Sequence, residues 1–289
     1  MHAEGGAARK KYVDLHLHSK YSDGECSVQC LLEIAHKKGL KAVSITDHDT
    51  TDGYPLARKI SSELGIELIT GTELSSEVDG VDVHILGYFV DINNKALKKK
   101  LQEMKEVRYE RAKKIVLNLN RQGIDLRFET VLNIAGEGAI GRPHIATAML
   151  QEELVYSFKE AFEKYIGYDS PAYVEKLRLL PSEIFKLILD AGGIPVLAHP
   201  GVTNIDNRIP SFLNGGLAGI EAYHSEHNSK ARKFYMDYCR KNDLVVTGGS
   251  DFHSQTQTRA IIGEPKIQYS VLEKLKSKLK QVHGEKALQ

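Results

Sequence analysis

The chain reads as an α/β protein built as a barrel, or a barrel-like wound sheet, with a helical insertion. Three observations predict it. Short apolar runs alternate with helical patterns six or seven times, as in parallel βαβ units. One long central stretch breaks that rhythm with helices alone. Imidazoles and carboxylates collect at or near the ends of the apolar runs, where a parallel α/β barrel builds its site.

The first run is YVDLHL at 12–17, with Tyr12, Val13, Leu15 and Leu17 as candidate core. Further strands are expected at 41–46, 66–70, 81–90, 193–199, 217–223 and 244–250. Helices are expected at 28–38, 54–64, 182–191 and 229–241. From about 94 to 122 the pattern is one helix, with Leu97, Leu101, Met104, Ile115 and Leu119 as its apolar stripe. Its other face is basic, with the run KALKKK and then Arg108, Arg111, Lys113 and Lys114, and is expected to be solvated. Helical stretches continue to about 165, and SPAYV at 170–174 leads back. The expected division is a barrel over 12–94 and 176–283, an insertion over 95–175 covering the site, and a disordered tail over 1–11.

Composition narrows the functional classes. A formal net charge of +1 offers no global field for a DNA duplex or a membrane surface, so a polyanion must be met by a local patch or a metal. No run approaches the roughly 20 apolar residues of a membrane span. Three cysteines, Cys26, Cys30 and Cys239, are too few and odd in number for a disulfide framework. They read as reduced thiols, and the expected location is cytoplasmic.

His16 and His18 lie two apart, so they share one strand face, and Asp23 follows just beyond. SITDHD carries His48, GTE carries Glu73, and VDVHILGY carries His84 inside a strand rather than at its end. AHP ends a strand on His199, and GGSDFH ends another on Asp251 and His253. Each has an ordinary structural explanation, but six coincidences in one chain are improbable. Nitrogen and oxygen donors without cysteine suit zinc, manganese or iron, and nine are too many for one ion. Two or three divalent ions are expected. Such ions lower the pKa of a bound water from about 15.7 toward about 7.

The order HxHxxxSDG, TDHD, GTE, HxxGY, AHP and SDFH resembles the polymerase and histidinol phosphatase (PHP) family over nearly the whole chain. The resemblance implies a distorted (β/α)7 barrel and three metal positions. His16, His18, Glu73 and Asp251 would hold the first. Glu73 would bridge to a second held by His84 and His199. Asp23, His48 and His253 would hold the third, with Asp23 standing where some family members have histidine. Within the family the chain is most similar to small nucleotide phosphatases and exoribonucleases, which share the insertion with GRPHIA and the EAYHSEHN segment. That implies an enzyme removing the 3′-phosphate of 3′,5′-bisphosphonucleosides, or 5′-mononucleotides from short 5′-phosphorylated RNA.

Glu73, Asp251, His224 and His227 are the candidate catalytic groups, the last two because they follow a strand toward the barrel mouth. Arg142 and His144, at a helix start set by Pro143, are candidates for binding a substrate phosphate. Ser19 is a candidate for substrate binding or, with Asp47 and Asp49, for orienting imidazoles. Histidinol phosphate phosphatase, a non-catalytic binding module and an amidohydrolase are the competing readings.

Overall fold

In a computed structural model, the described residues are 10–255 and 259–288. The tail expected over 1–11 therefore falls mostly outside them, and Lys11 is already tied down by the amide of Tyr269 at 2.9 Å.

The chain opens with β1 (Tyr12–Leu17), α1 (Val28–Lys37), β2 (Ala42–Ile45), α2 (Tyr54–Leu64), β3 (Glu67–Val78) and β4 (Val81–Tyr88). The insertion supplies α3 (Lys95–Arg121), α4 (Phe128–Ala135), α5 (Arg142–Gln151) and the short α6 (Phe158–Glu160), which runs on as a π-helical turn, Ala161–Ile166. The barrel resumes with α7 (Pro181–Asp190), β5 (Ile194–Leu197), α8 (Pro200–Thr203), α9 (Ile209–Leu213), β6 (Gly219–Tyr223), α10 (Ser229–Lys241), β7 (Val245–Gly248), β8 (Ile267–Gln268) and α11 (Ser270–His283).

The eight strands form one sheet in the order β7-β6-β5-β4-β3-β2-β1-β8. Beyond β7 the chain returns to β1. The amide of Asp251 donates to His16 and that of His18 to Phe252, each at 3.0 Å, nearly closing the barrel. Gly249 permits that approach, since a Cβ there would sit 2.3 Å from the Cβ of His16.

The expectation of parallel units throughout needs one correction. β3 does not stop at 70 but runs to Val78, turns at Asp79–Gly80 and pairs with β4 as an antiparallel hairpin. Both turn residues have positive φ, 50° and 79°, which an Asp-Gly pair tolerates. β4 is antiparallel to β5 as well.

Two apolar clusters matter for the site. Leu97, Leu101 and Met104 of α3 pack into the barrel cluster with Ile188 and Leu197. Ile115, Val116 and Leu119, further along α3, belong to a second cluster with Ile145, Met149 and Ile166. The long helix thus anchors the inserted helices to the barrel, and its basic face is only partly solvated. Arg111 is buried, and Arg108 is half-buried against Asp49.

Candidate metal centre

β1 turns His16 and His18 into the barrel, where both are fully buried and their Nε2 atoms stand 3.1 Å apart. Glu73 comes from the middle of β3, not from beyond a strand end as its motif suggested. Its Oε2 lies 3.3 Å from His16 Nε2, 3.2 Å from His18 Nε2 and 3.1 Å from His48 Nδ1. Its Oε1 lies 3.0 Å from His84 Nδ1 and 2.9 Å from His199 Nε2. One fully buried carboxylate thus faces five imidazoles.

The odd position of His84 is explained by strand direction. β4 runs against its neighbours, so its first half, with His84 opposite Ser75, lies at the mouth where the other strands end. The loop after β2 is pinned by Asp49 N to Glu73 O at 2.9 Å, which holds His48 beside Glu73. His199 and Asp251 follow their strands with φ of 25° and 53°, in the left-handed region that side chains seldom occupy. His253 stacks on His18 with ring centroids 4.0 Å apart, and its Nε2 is 3.4 Å from Asp23 Oδ1.

Three donor groups result, each within 4.8 Å: His16, His18, Glu73 and Asp251; His18, Asp23, His48 and His253; and His48, Glu73 and His84. The buried His48 Nδ1, His84 Nδ1 and Asp251 Oδ1 make no hydrogen bond. A buried polar atom left so costs about 1–3 kcal/mol, which a cation would offset. The donor set therefore fits divalent ions. Burial alone would push the carboxyls of Glu73, Asp23 and Asp251 up, but the surrounding imidazoles hold all three well below the usual range. Burial pushes His48 down to about 3, keeping its ring neutral as a ligand requires.

Glu221 and Asp14 are positioning groups that the sequence reading missed, and Ser22 joins the expected Asp47 to His18. Glu221, fully buried, accepts from His16 Nδ1 and from the amide of His199, each at 3.0 Å. It sits inside EAYHSEHN, mid-strand, where alternation marks its face but not its partner. Asp14 accepts from the amides of Ser250 at 2.9 Å and Gly263 at 2.8 Å, joining β1 to the end of β7. Asp47 accepts from Ser19 N, Ser19 Oγ and Ser22 Oγ, each at 2.7 Å, and Ser22 Oγ lies 3.4 Å from His18 Nδ1.

That network corrects several expectations. Ser19 is fully buried with its hydroxyl donated to Asp47, so it braces the loop and does not face substrate. Asp49 orients no imidazole; it binds the guanidinium of Arg108 and the amide of Ser75, the latter at 2.7 Å. His227 is buried, with Nδ1 donating to Ala222 O and Nε2 accepting from Gly201 N, both at 3.1 Å, so no ring nitrogen is left for catalysis. His144 spends both nitrogens too. Nδ1 accepts from Gly141 N at 2.9 Å, and Nε2 donates to Ser22 O at 2.8 Å. It ties α5 to the loop bearing Asp23. His224 does reach the centre, with Nε2 3.2 Å from Asp251 Oδ2 and Nδ1 accepting from Glu226 N.

Arg142 stacks on Tyr168 at 4.6 Å, and its guanidinium lies 4.0 Å from Asp82, two residues before His84. Lys176 contacts the same carboxylate at 2.6 Å. Arg111 lies over Tyr173 at 5.5 Å, and its buried Nη2 has no partner. Four cations, Arg108, Arg111, Arg142 and Lys176, face two carboxylates, Asp49 and Asp82, leaving two positive charges in a largely buried compartment. A separate cavity of about 800 Å³ opens with Asp23, His224, Asp251 and His253 in its wall.

A wound barrel with clustered imidazole and carboxylate donors at its mouth, beside a compartment of excess positive charge, defines a metal-dependent phosphoesterase. The PHP domain family model matches residues 14–169, and the chain belongs to that family. A 5′-3′ exoribonuclease of Haemophilus influenzae is 33% identical over 250 residues, covering 84% of this chain and 90% of its own. A 3′,5′-nucleoside bisphosphate phosphatase of Chromobacterium violaceum is 29% identical over 248 residues, covering 84% and 87%. A solved structure from Bifidobacterium adolescentis, assigned to the metal-dependent phosphoesterases, superposes with a TM-score of 0.85 at 29% identity, covering 93% of this chain and 96% of that one.

Proposed function

We propose that the enzyme cleaves the phosphate on the 3′ side of a 5′-phosphorylated nucleotide. The substrates are then 3′,5′-bisphosphonucleosides and short RNA with a 5′-phosphate. The observation that carries this reading is the cation compartment beside His84. Its two excess positive charges match the dianion of a terminal phosphate better than a diester, and the unpartnered Arg111 Nη2 faces the need for an acceptor. Of the two similar proteins described above, one is named for RNA digestion from the 5′ end and the other for 3′,5′-nucleoside bisphosphates.

His16, His18, Glu73 and Asp251 would hold one ion, with Glu73 shared to a second at His84 and His199 and a third at Asp23, His48 and His253. Ions bound there supply charge neutralisation of the phosphoryl oxygens and an acidified water. The chain's own residues do the rest. Arg142, Arg111 and Lys176 seat the 5′-phosphate and so fix which phosphorus reaches the centre. Tyr168 holds the Arg142 guanidinium flat. His224 orients Asp251. Hydrolysis breaks the bond between phosphorus and the first nucleotide's 3′-oxygen, water giving its hydroxyl to phosphorus and a proton to that oxygen. A bisphosphonucleoside becomes a 5′-monophosphate. An RNA loses its first residue as a 5′-monophosphate and gains a new 5′-phosphate, so digestion runs 5′ to 3′.

The test is a product analysis by chromatography across a 3′,5′-bisphosphonucleoside, 5′-phosphorylated and 5′-hydroxyl oligoribonucleotides, histidinol phosphate and an amide panel. Release of 5′-monophosphates with a strong preference for the 5′-phosphate end is expected. Release of 3′-monophosphates, or indifference to the 5′ end, would overturn the reading.

A further inference from the structure

The cation compartment borders the metal centre at Asp82, two residues from His84, whereas the cavity of about 800 Å³ borders it at Asp23, Asp251 and His253. The first turn of α5 divides them. Arg142 turns toward Tyr168 and Asp82, while Pro143, His144 and Thr147 line the cavity. The two sides differ in chemistry. Around the cavity, Lys20 and Arg259 stand among Glu25, Glu226 and the candidate metal ligands Asp23 and Asp251, so no excess of positive charge calls for a second terminal phosphate. Arg259 is already bound to Glu226 at 3.0 Å. The apolar wall is Ile134 and Phe158, and Phe158 is 45% exposed, with its ring braced by Phe162 at 5.1 Å between centroids. The volume lies within the range of about 300–1,000 Å³ of small-ligand pockets. A braced, exposed ring in a cavity that also holds a lysine is a setting in which single-stranded nucleic acid stacks without regard to base.

We propose that this cavity seats the nucleotide on the 3′ side of the cleaved bond, its base stacked on Phe158 and its next phosphate near Lys20. The inference rests on the reading above. With the 5′-phosphate at Arg142 and the cleaved phosphate at the metal centre, the continuing strand leaves through the cavity. A bisphosphonucleoside has no such nucleotide. The cavity is therefore what separates an RNA substrate from a mononucleotide one, and Phe158 governs the first without touching the second.

The experiment compares wild type with Phe158→Ala, Phe158→Tyr and Lys20→Gln. It measures kcat/KM on a 5′-phosphorylated hexaribonucleotide and on a 3′,5′-bisphosphonucleoside, with binding of the labelled hexamer to the holoenzyme by fluorescence anisotropy. Phe158→Ala should lose about tenfold on RNA and stay within about twofold on the bisphosphate, while Phe158→Tyr restores the RNA rate. Equal losses on both substrates, or an unchanged RNA rate, would overturn the proposal. Should wild type bind the hexamer without cleaving it, and Phe158→Ala weaken that binding, the cavity assignment stands and the reaction assigned above falls. A wild type that does not bind the hexamer overturns the cavity assignment.

Discussion

Glu221 Oε1 accepts a hydrogen bond from His16 Nδ1 at 3.0 Å, and neither side chain is exposed to solvent. The bond fixes the tautomer of His16 and leaves Nε2, the atom facing Glu73 and Asp251, with its lone pair available to a metal. Glu221→Gln should lower metal affinity or activity by about 10–100-fold, the usual cost of losing such a partner. Metal content after dialysis, and activity across added metal, check it. Wild-type metal retention and rate would show that the bond is dispensable.

The purified protein should carry two or three divalent ions per chain, because three donor groups share Glu73, His18 and His48. Elemental analysis of protein never exposed to chelator checks the number. A value of one or below would count heavily against the shared centre.

Glu73→Gln should reduce activity by about tenfold more than His84→Gln. The Glu73 carboxylate faces five imidazoles with its two oxygens, whereas His84 faces one of those oxygens. Steady-state rates at saturating metal are the comparison. Equal, small losses would remove Glu73 from a bridging role.

Arg142→Ala should narrow the rate ratio between 5′-phosphate and 5′-hydroxyl oligoribonucleotides, by about 10- to 150-fold for a lost charge-assisted contact of about 1.5–3 kcal/mol. The metal donors are left intact, so the 5′-hydroxyl rate should hold. A variant that loses both rates alike would place Arg142 in the scaffold instead.

Arg108 and Asp49 should matter for folding. Asp49 is buried, and its carboxylate ties Arg108 of α3 to the loop after β2. Breaking such a pair from one side costs about 3–5 kcal/mol. Arg108→Ala should lower the denaturation midpoint accordingly, read by urea unfolding with circular dichroism. A midpoint within error of wild type would mean the pair is solvent-relaxed.

Much of the candidate centre is legible in the residues themselves. His16 and His18 announce a shared strand face by their spacing, and His48, His199 and Asp251 follow apolar runs that do become β2, β5 and β7. A strand's period is two, so local order is enough to say which side chains share a face. The helices at 54–64 and 229–241 are equally local in origin, one started by a proline and the other capped by Asn228. The Asp-Gly turn that doubles β3 back into β4 is equally local, lying between two alternating runs.

What tertiary structure alone decided is where each group's partner lies. Of the five imidazoles around Glu73, His84 is there because β4 runs backwards, and His199 comes from 126 positions away. His227, His144 and Ser19 look like exposed polar groups in sequence, yet each is consumed by backbone or by Asp47 once the barrel closes. Arg108 and Arg111 look like a solvated helix face until the inserted helices and the loop after β2 cover them. The physical reason is common to all. Period and propensity act over a few residues and set which face a side chain takes. Hydrogen-bond satisfaction and charge pairing in a desolvated interior act between segments far apart in the chain, and only their packing assigns the partners.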